Sequence, residues 1–246
     1  MVKYETIIKI IEEELDKSHQ HLRLYESLLP SFNKFHKQTC GEKPRKTEKG
    51  LICDNNGNEI FSKTGSKHQI SIPSNTIDNL YEKYGELNLT HNHPSIGKPI
   101  TESLSASDVQ FLLQERQEYH EGVKGDYYFP IKSISCESPN GMRMTLVRGD
   151  KFQYENMNKA VALGAKLQKA HEEYIEKAAE VRSPIYKDLK PEDLNGENVY
   201  DYATKQTLKQ IGRFEDTKEF KQIQDEFRNF DCKLAVSYPE DYYYAD

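Results

Sequence analysis

Between Thr90 and Asp108 the chain has to pass from strand to helix, and it carries its most reactive side chains across that passage. Glu86 to Leu89 alternates with period two and predicts a short strand. His91 and His93 stand two apart at its end, so their imidazoles leave one face together. From Ser105 the pattern changes. Val109, Phe111, Leu112 and Leu113 follow Ser105 to Asp108 at helical spacing, which places Asp108 in a first helical turn facing back toward the histidines. Two imidazoles and one carboxylate hold zinc with a fourth tetrahedral position left for water. Each half also has a plainer reading. Strand-end histidines are commonly just solvated, and Ser105-x-x-Asp108 fits a helix capping box. The combination, with a strand before and a helix after, favours the metal site.

The flanking residues predict an α+β chain. Ile7 to Leu29 carry apolar residues at helical spacing, ended by Pro30, and His19 and His21 point to different faces of that helix. Cys40 to Thr47 has linker composition. Glu48 opens a strand, Asn55-Asn56-Gly57-Asn58 is a turn, and Glu59 to Phe61 returns as the partner strand. Ser66 to Ile72 alternates as a further strand closed by Pro73, and Ser74 is expected to cap a helix over Asn75 to Tyr84. Tyr127 to Glu137 and Met142 to Val147 predict a second hairpin around Ser138-Pro139-Asn140-Gly141. Beyond Asp150 the reading is helical: one helix from Phe152 to Val181 broken at Ser183-Pro184, then Asn198 to Ile211 and Asp216 to Phe230. His171, alone on the first of these, is expected to be solvated. The acidic, aromatic residues Tyr238 to Tyr244 read as a tail or a docking strand. The expected organisation is an N-terminal helical segment over 1–40, a site-bearing domain over 41–150 and a helical region over 151–246.

His91-x-His93-Pro94 followed by Ser105-x-x-Asp108 resembles the signature of the JAMM/MPN+ (JAB-like) zinc metallopeptidases, particularly the bacterial and phage RadC-like branch. The resemblance covers residues 41–150, and the loop from Ser95 to Leu104 is longer than the family pattern. It implies a JAMM/MPN-like mixed sheet sandwiched by helices. It also implies Zn²⁺ on His91, His93 and Asp108, and Ser105 helping to position the oxyanion. A glutamate that begins an earlier strand is the family's general base, and Glu48 before Gly50-Leu51-Ile52 fits, with Glu59 on the partner strand as its rival. Such a base must reach the attacking water to take its proton and pass it to the leaving amine.

Composition bounds what this chemistry serves. With 30% charged and 36% hydrophobic residues, no apolar run has the length of a membrane span. The opening Met-Val-Lys-Tyr-Glu carries no signal region, so a cytoplasmic protein is expected. A net charge of −6 disfavours a dominant nucleic-acid footprint, and with it a RadC-like role near DNA. Cys40, Cys53, Cys136 and Cys232 lack Cys-x-x-Cys spacing and read as reduced thiols. The expected function is a zinc-dependent hydrolase acting on a peptide or isopeptide bond of a protein or peptide substrate. The alternative is a non-catalytic JAMM-fold interaction module in a phage or mobile-element assembly.

Overall fold

The computed structural model describes residues 47–67, 69–94, 103–120, 123–138, 142–194 and 199–237. The expected N-terminal helix, His19, His21, Cys40, most of the long loop after Pro94 and the aromatic tail lie outside the described residues. The architecture is α+β, built on a six-stranded mixed sheet in the order β2-β1-β3-β6-β7-β8. Its strands are β1 (Lys49–Cys53), β2 (Glu59–Thr64), β3 (Leu87–Asn92), β6 (Ile131–Glu137), β7 (Arg143–Arg148) and β8 (Cys232–Ser237). β3 and β6 run parallel and every other neighbouring pair is antiparallel. A parallel pair needs a long crossover. Here it carries α2 (Ala106–Leu112) and a separate hairpin, β4 (Arg116–His120) with β5 (Val123–Tyr128).

The remaining helices are α1 (Ser74–Tyr84), α3 (Met157–Asp188), α4 (Val199–Ile211) and α5 (Lys218–Arg228). α2 packs against β6 and α3, and α5 packs against β8. One apolar cluster therefore runs from Ile52 and Leu89 on the sheet, through Val109 and Leu112 on α2, to Leu163 on α3 and Phe220, Phe227 and Leu234. The C-terminal residues contribute a strand as well as helices. Among the described residues no helix is long and apolar enough to cross a membrane.

Several local expectations are corrected. Ser66 to Ile72 is not a strand. The Ser66 amide donates to the Gln69 carbonyl at 3.0 Å and the Gln69 amide to the Ser66 hydroxyl at 3.2 Å, so the chain turns off the sheet edge. Ser74 is the first residue of α1; Pro73 holds the cap position, with no side-chain cap bond. The single strand expected over Tyr127 to Glu137 is divided at Phe129-Pro130 into β5 and β6. Pro184 does not break α3, which continues to Asp188. A proline frees the carbonyl four residues back, and at this end of α3 both Glu180 and Pro184 are exposed, where an unpaired carbonyl costs least.

Gly164 on α3 sets how closely that helix approaches the site. A Cβ there would lie 2.7 Å from Val109 Cγ2, 3.2 Å from Ala106 Cα and 3.3 Å from the Ser105 carbonyl oxygen. Any larger residue would push on the backbone that opens α2.

His171 is buried rather than solvated. Its ring lies 4.7 Å from Phe214 and stacks on Tyr174, and its Nδ1 has no partner among the described residues. Burial lowers its pKa to about 4 from 6.5. The unfolded chain binds a proton there near pH 6.5, whereas the folded chain binds none until about pH 4. The unfolded state therefore gains on acidification. This group's contribution is intact above pH 6.5 and declines by about 3 kcal/mol in all as pH falls to about 4. The urea midpoint should fall less between about pH 7.5 and about pH 5 for His171→Phe than for wild type. Parallel profiles would contradict the burial account.

Candidate metal centre

β3 has to deliver two imidazoles to one face, and the sheet register shows how. Gly50 on β1 pairs with His91, and Cys136 on β6 pairs with His91 from the other side. Across a sheet, paired residues share a face and residues two apart along a strand do too. Glu48, Gly50, His91, His93, Ile134 and Cys136 thus belong to one face. Gly50 leaves open the space beside His91 that a side chain would fill; a Cβ there would already meet Ile70 Cδ1 at 3.0 Å. His93 lies just past the strand and is held by its amide, which donates to the Glu137 carbonyl at 2.9 Å.

The side chains converge. His91 Nε2 lies 3.2 Å from His93 Nε2 and 3.3 Å from Asp108 Oδ1. His91 is 6% exposed. Asp108 divides its two oxygens between two tasks. While Oδ1 faces His91, Oδ2 accepts from the Ser105 amide and the Ser105 hydroxyl, both at 2.7 Å. The Ser105 hydroxyl in turn accepts from the Asp108 amide at 3.2 Å, closing a capping box at the start of α2. The two readings of Ser-x-x-Asp are compatible: the cap is the device that aims the carboxylate.

Glu48 sits immediately before β1, its amide donating to the Ser66 carbonyl and its carbonyl accepting from Gly65. It is 7% exposed. Burial raises its pKa, His91 opposes that rise and the negative charge of Asp108 adds to it. Glu59 is exposed and pairs with Cys53 at the other end of β1, away from the histidines. A cavity of about 360 Å³ opens over these groups. Glu48, His91, His93, Ser105 and Asp108 line it, with Ile70, Ile72 and Phe111 among its apolar walls.

One group was not anticipated from sequence. Cys136 is fully buried, and its Sγ lies 3.3 Å from His93 Nδ1. A donor atom from each of His91, His93 and Cys136 falls within 4.8 Å of the others, so this group is able to hold a metal ion. Only the parallel pairing of β3 with β6 brings Cys136 here, and no sequence spacing reports that. His91 Nδ1, by contrast, has no partner among the described residues.

The donor set tests whether zinc fits. Zinc–nitrogen and zinc–oxygen bonds of about 2.0–2.1 Å require donors about 3.3–3.4 Å apart along each edge of a tetrahedron. Both separations that meet at His91 Nε2 come within about 0.2 Å of that length. These two edges suit a tetrahedral ion, and the group that brings three donor atoms within 4.8 Å of one another is His91, His93 and Cys136. No protein-family model, curated protein or solved structure matches the chain.

Proposed function

We propose that this chain is a zinc-dependent hydrolase of peptide or isopeptide bonds, with His91, His93 and Asp108 as metal ligands and a JAMM/MPN-like arrangement around them. The observation that carries the reading is the pair of tetrahedral edges meeting at His91 Nε2, with the second oxygen of Asp108 clamped by the α2 cap. His91 and His93 offer imidazole nitrogens from one strand end. Asp108 supplies the negative charge. Zinc in such a site acidifies a water to a pKa of about 7 and polarises the carbonyl of the bond to be cut.

The chain's own groups account for the rest. Glu48, on the same cavity, takes the proton from the attacking water and hands it to the nitrogen as the C–N bond breaks. Its burial, which favours the protonated form, makes it a better acceptor than an exposed carboxylate. Ser105 positions Asp108 through the cap. Turned away from Asp108, its hydroxyl would face the cavity it lines, where it can donate to the developing oxyanion. The apolar walls at Ile70, Ile72 and Phe111 suit a peptide segment, and a protein or peptide is the proposed substrate.

The test uses the full chain, stripped with a chelator and reloaded with zinc, against mixed unstructured polypeptides and isopeptide-linked conjugates. Cleavage that disappears on chelation and returns with zinc is expected. A stoichiometric zinc protein that cuts neither class would favour a binding module.

A further inference from the structure

We propose that Cys136 is a positioning residue for His93: its sulfur accepts the Nδ1 proton and thereby aims the Nε2 lone pair at the metal position. The inference rests on the zinc reading above and deepens it. Each imidazole has two nitrogens that point away from each other across the ring. His93 turns Nε2 toward His91, at 3.2 Å, and Nδ1 toward Cys136 Sγ, at 3.3 Å. An ion shared between His91 and His93 through these Nε2 atoms lies on the side of the ring away from the sulfur. Binding through Nε2 also requires the proton on Nδ1, so the sulfur must accept it rather than donate its own. Metal-bound histidines usually have such a partner on the far nitrogen, most often a carboxylate or a carbonyl. Here the partner is a thiol, a weaker acceptor.

The surroundings favour orientation over ligation. Cys136 is fully buried in the apolar cluster beside Ile134 and Met144 and is fixed by strand pairing on both sides. His93 lies past the end of β3, with its amide tied to Glu137, so its ring orientation depends on what it touches. Among the described residues His91 has no such partner on Nδ1, and it is held instead within the strand, where it is buried. The competing arrangement makes the same cysteine a third ligand, since one donor atom from each of His91, His93 and Cys136 lies within 4.8 Å of the others. The two arrangements give the ion different donor shells.

Zn²⁺ and Co²⁺ titrations of the full-length wild type, Cys136→Ala and Cys136→Ser separate them, with folding of each variant checked by its urea midpoint. Cys136→Ala should weaken metal binding about 10–100-fold. Cys136→Ser, which restores an acceptor, should recover most of the loss. The cobalt-loaded wild type should show a tetrahedral visible spectrum without a thiolate-to-cobalt charge-transfer band. Equal affinity of Cys136→Ala and wild type would overturn the positioning role while leaving the zinc reading standing. A charge-transfer band that vanishes in Cys136→Ala would overturn it in favour of ligation. A wild-type chain that binds neither ion would end the zinc reading itself.

Discussion

Glu48→Gln keeps zinc at wild-type stoichiometry and loses about 10²–10⁴-fold in turnover, the range a positioned general base supplies. The amide preserves the shape at the start of β1, where the backbone bonds to Gly65 and Ser66 do the holding and do not depend on the side chain. What it loses is the ability to accept a proton. Glu59→Gln, exposed at the start of β2 opposite the far end of β1, should be indistinguishable from wild type in both metal content and turnover. If Glu59→Gln inactivates while Glu48→Gln does not, the base has been misassigned. If Glu48→Gln instead releases the metal, the carboxylate is a ligand and the division of roles between Glu48 and Asp108 fails.

The second large effect is on metal content. His91→Ala should abolish stoichiometric zinc, because both donor contacts that define the site meet at its Nε2. Asp108 needs a finer pair of variants, since it both caps α2 and faces His91. Asp108→Ala loses both tasks. It removes the Asp108 half of the capping box, the acceptor for the Ser105 amide and hydroxyl, so that variant should be less stable as well as metal-poor. Asp108→Asn can keep an oxygen on the Ser105 amide and hydroxyl while presenting an uncharged nitrogen toward His91. It should retain most of the stability and still lose zinc by more than the about 10–100-fold expected for a residue that only orients a ligand. Zinc retained by Asp108→Asn at wild-type affinity would remove Asp108 from the ligand set and leave Ser-x-x-Asp as a cap alone.

The parts of this site that were legible in the sequence are those fixed by local periodicity. His91 and His93 share a face because a strand repeats every two residues. Asp108 faces His91 because Ser105 and Asp108 start a helix in the way such residue pairs do. The hairpin at Asn55 to Asn58 was legible for the same reason: its turn chemistry is local.

What was not legible depends on distant parts of the chain. Cys136 reaches His93 only through the β3–β6 pairing, more than forty residues apart. Gly164 looks like an ordinary helix interior until the α2 backbone is seen against it. Ser66 to Ile72 alternates as a strand would, but after the Glu48–Ser66 bond its described residues join no strand ladder, and the Ser66 hydroxyl turns the chain away. β8 has the alternation of a strand in Cys232, Leu234 and Val236, hidden by following directly on a helix whose apolar residues continue to Phe230. His171 carried no sign of its burial, because Phe214, the ring that packs on it beside Tyr174 of its own helix, comes from a later turn.

The most direct measurement of the central claim is X-ray absorption at the zinc edge on the full-length, zinc-loaded protein. One zinc per chain is expected, in a shell of nitrogen and oxygen at about 2.0–2.2 Å with two imidazole contributions. An absence of stoichiometric zinc, or a sulfur at about 2.3 Å within the shell, would contradict a site built from His91, His93 and Asp108.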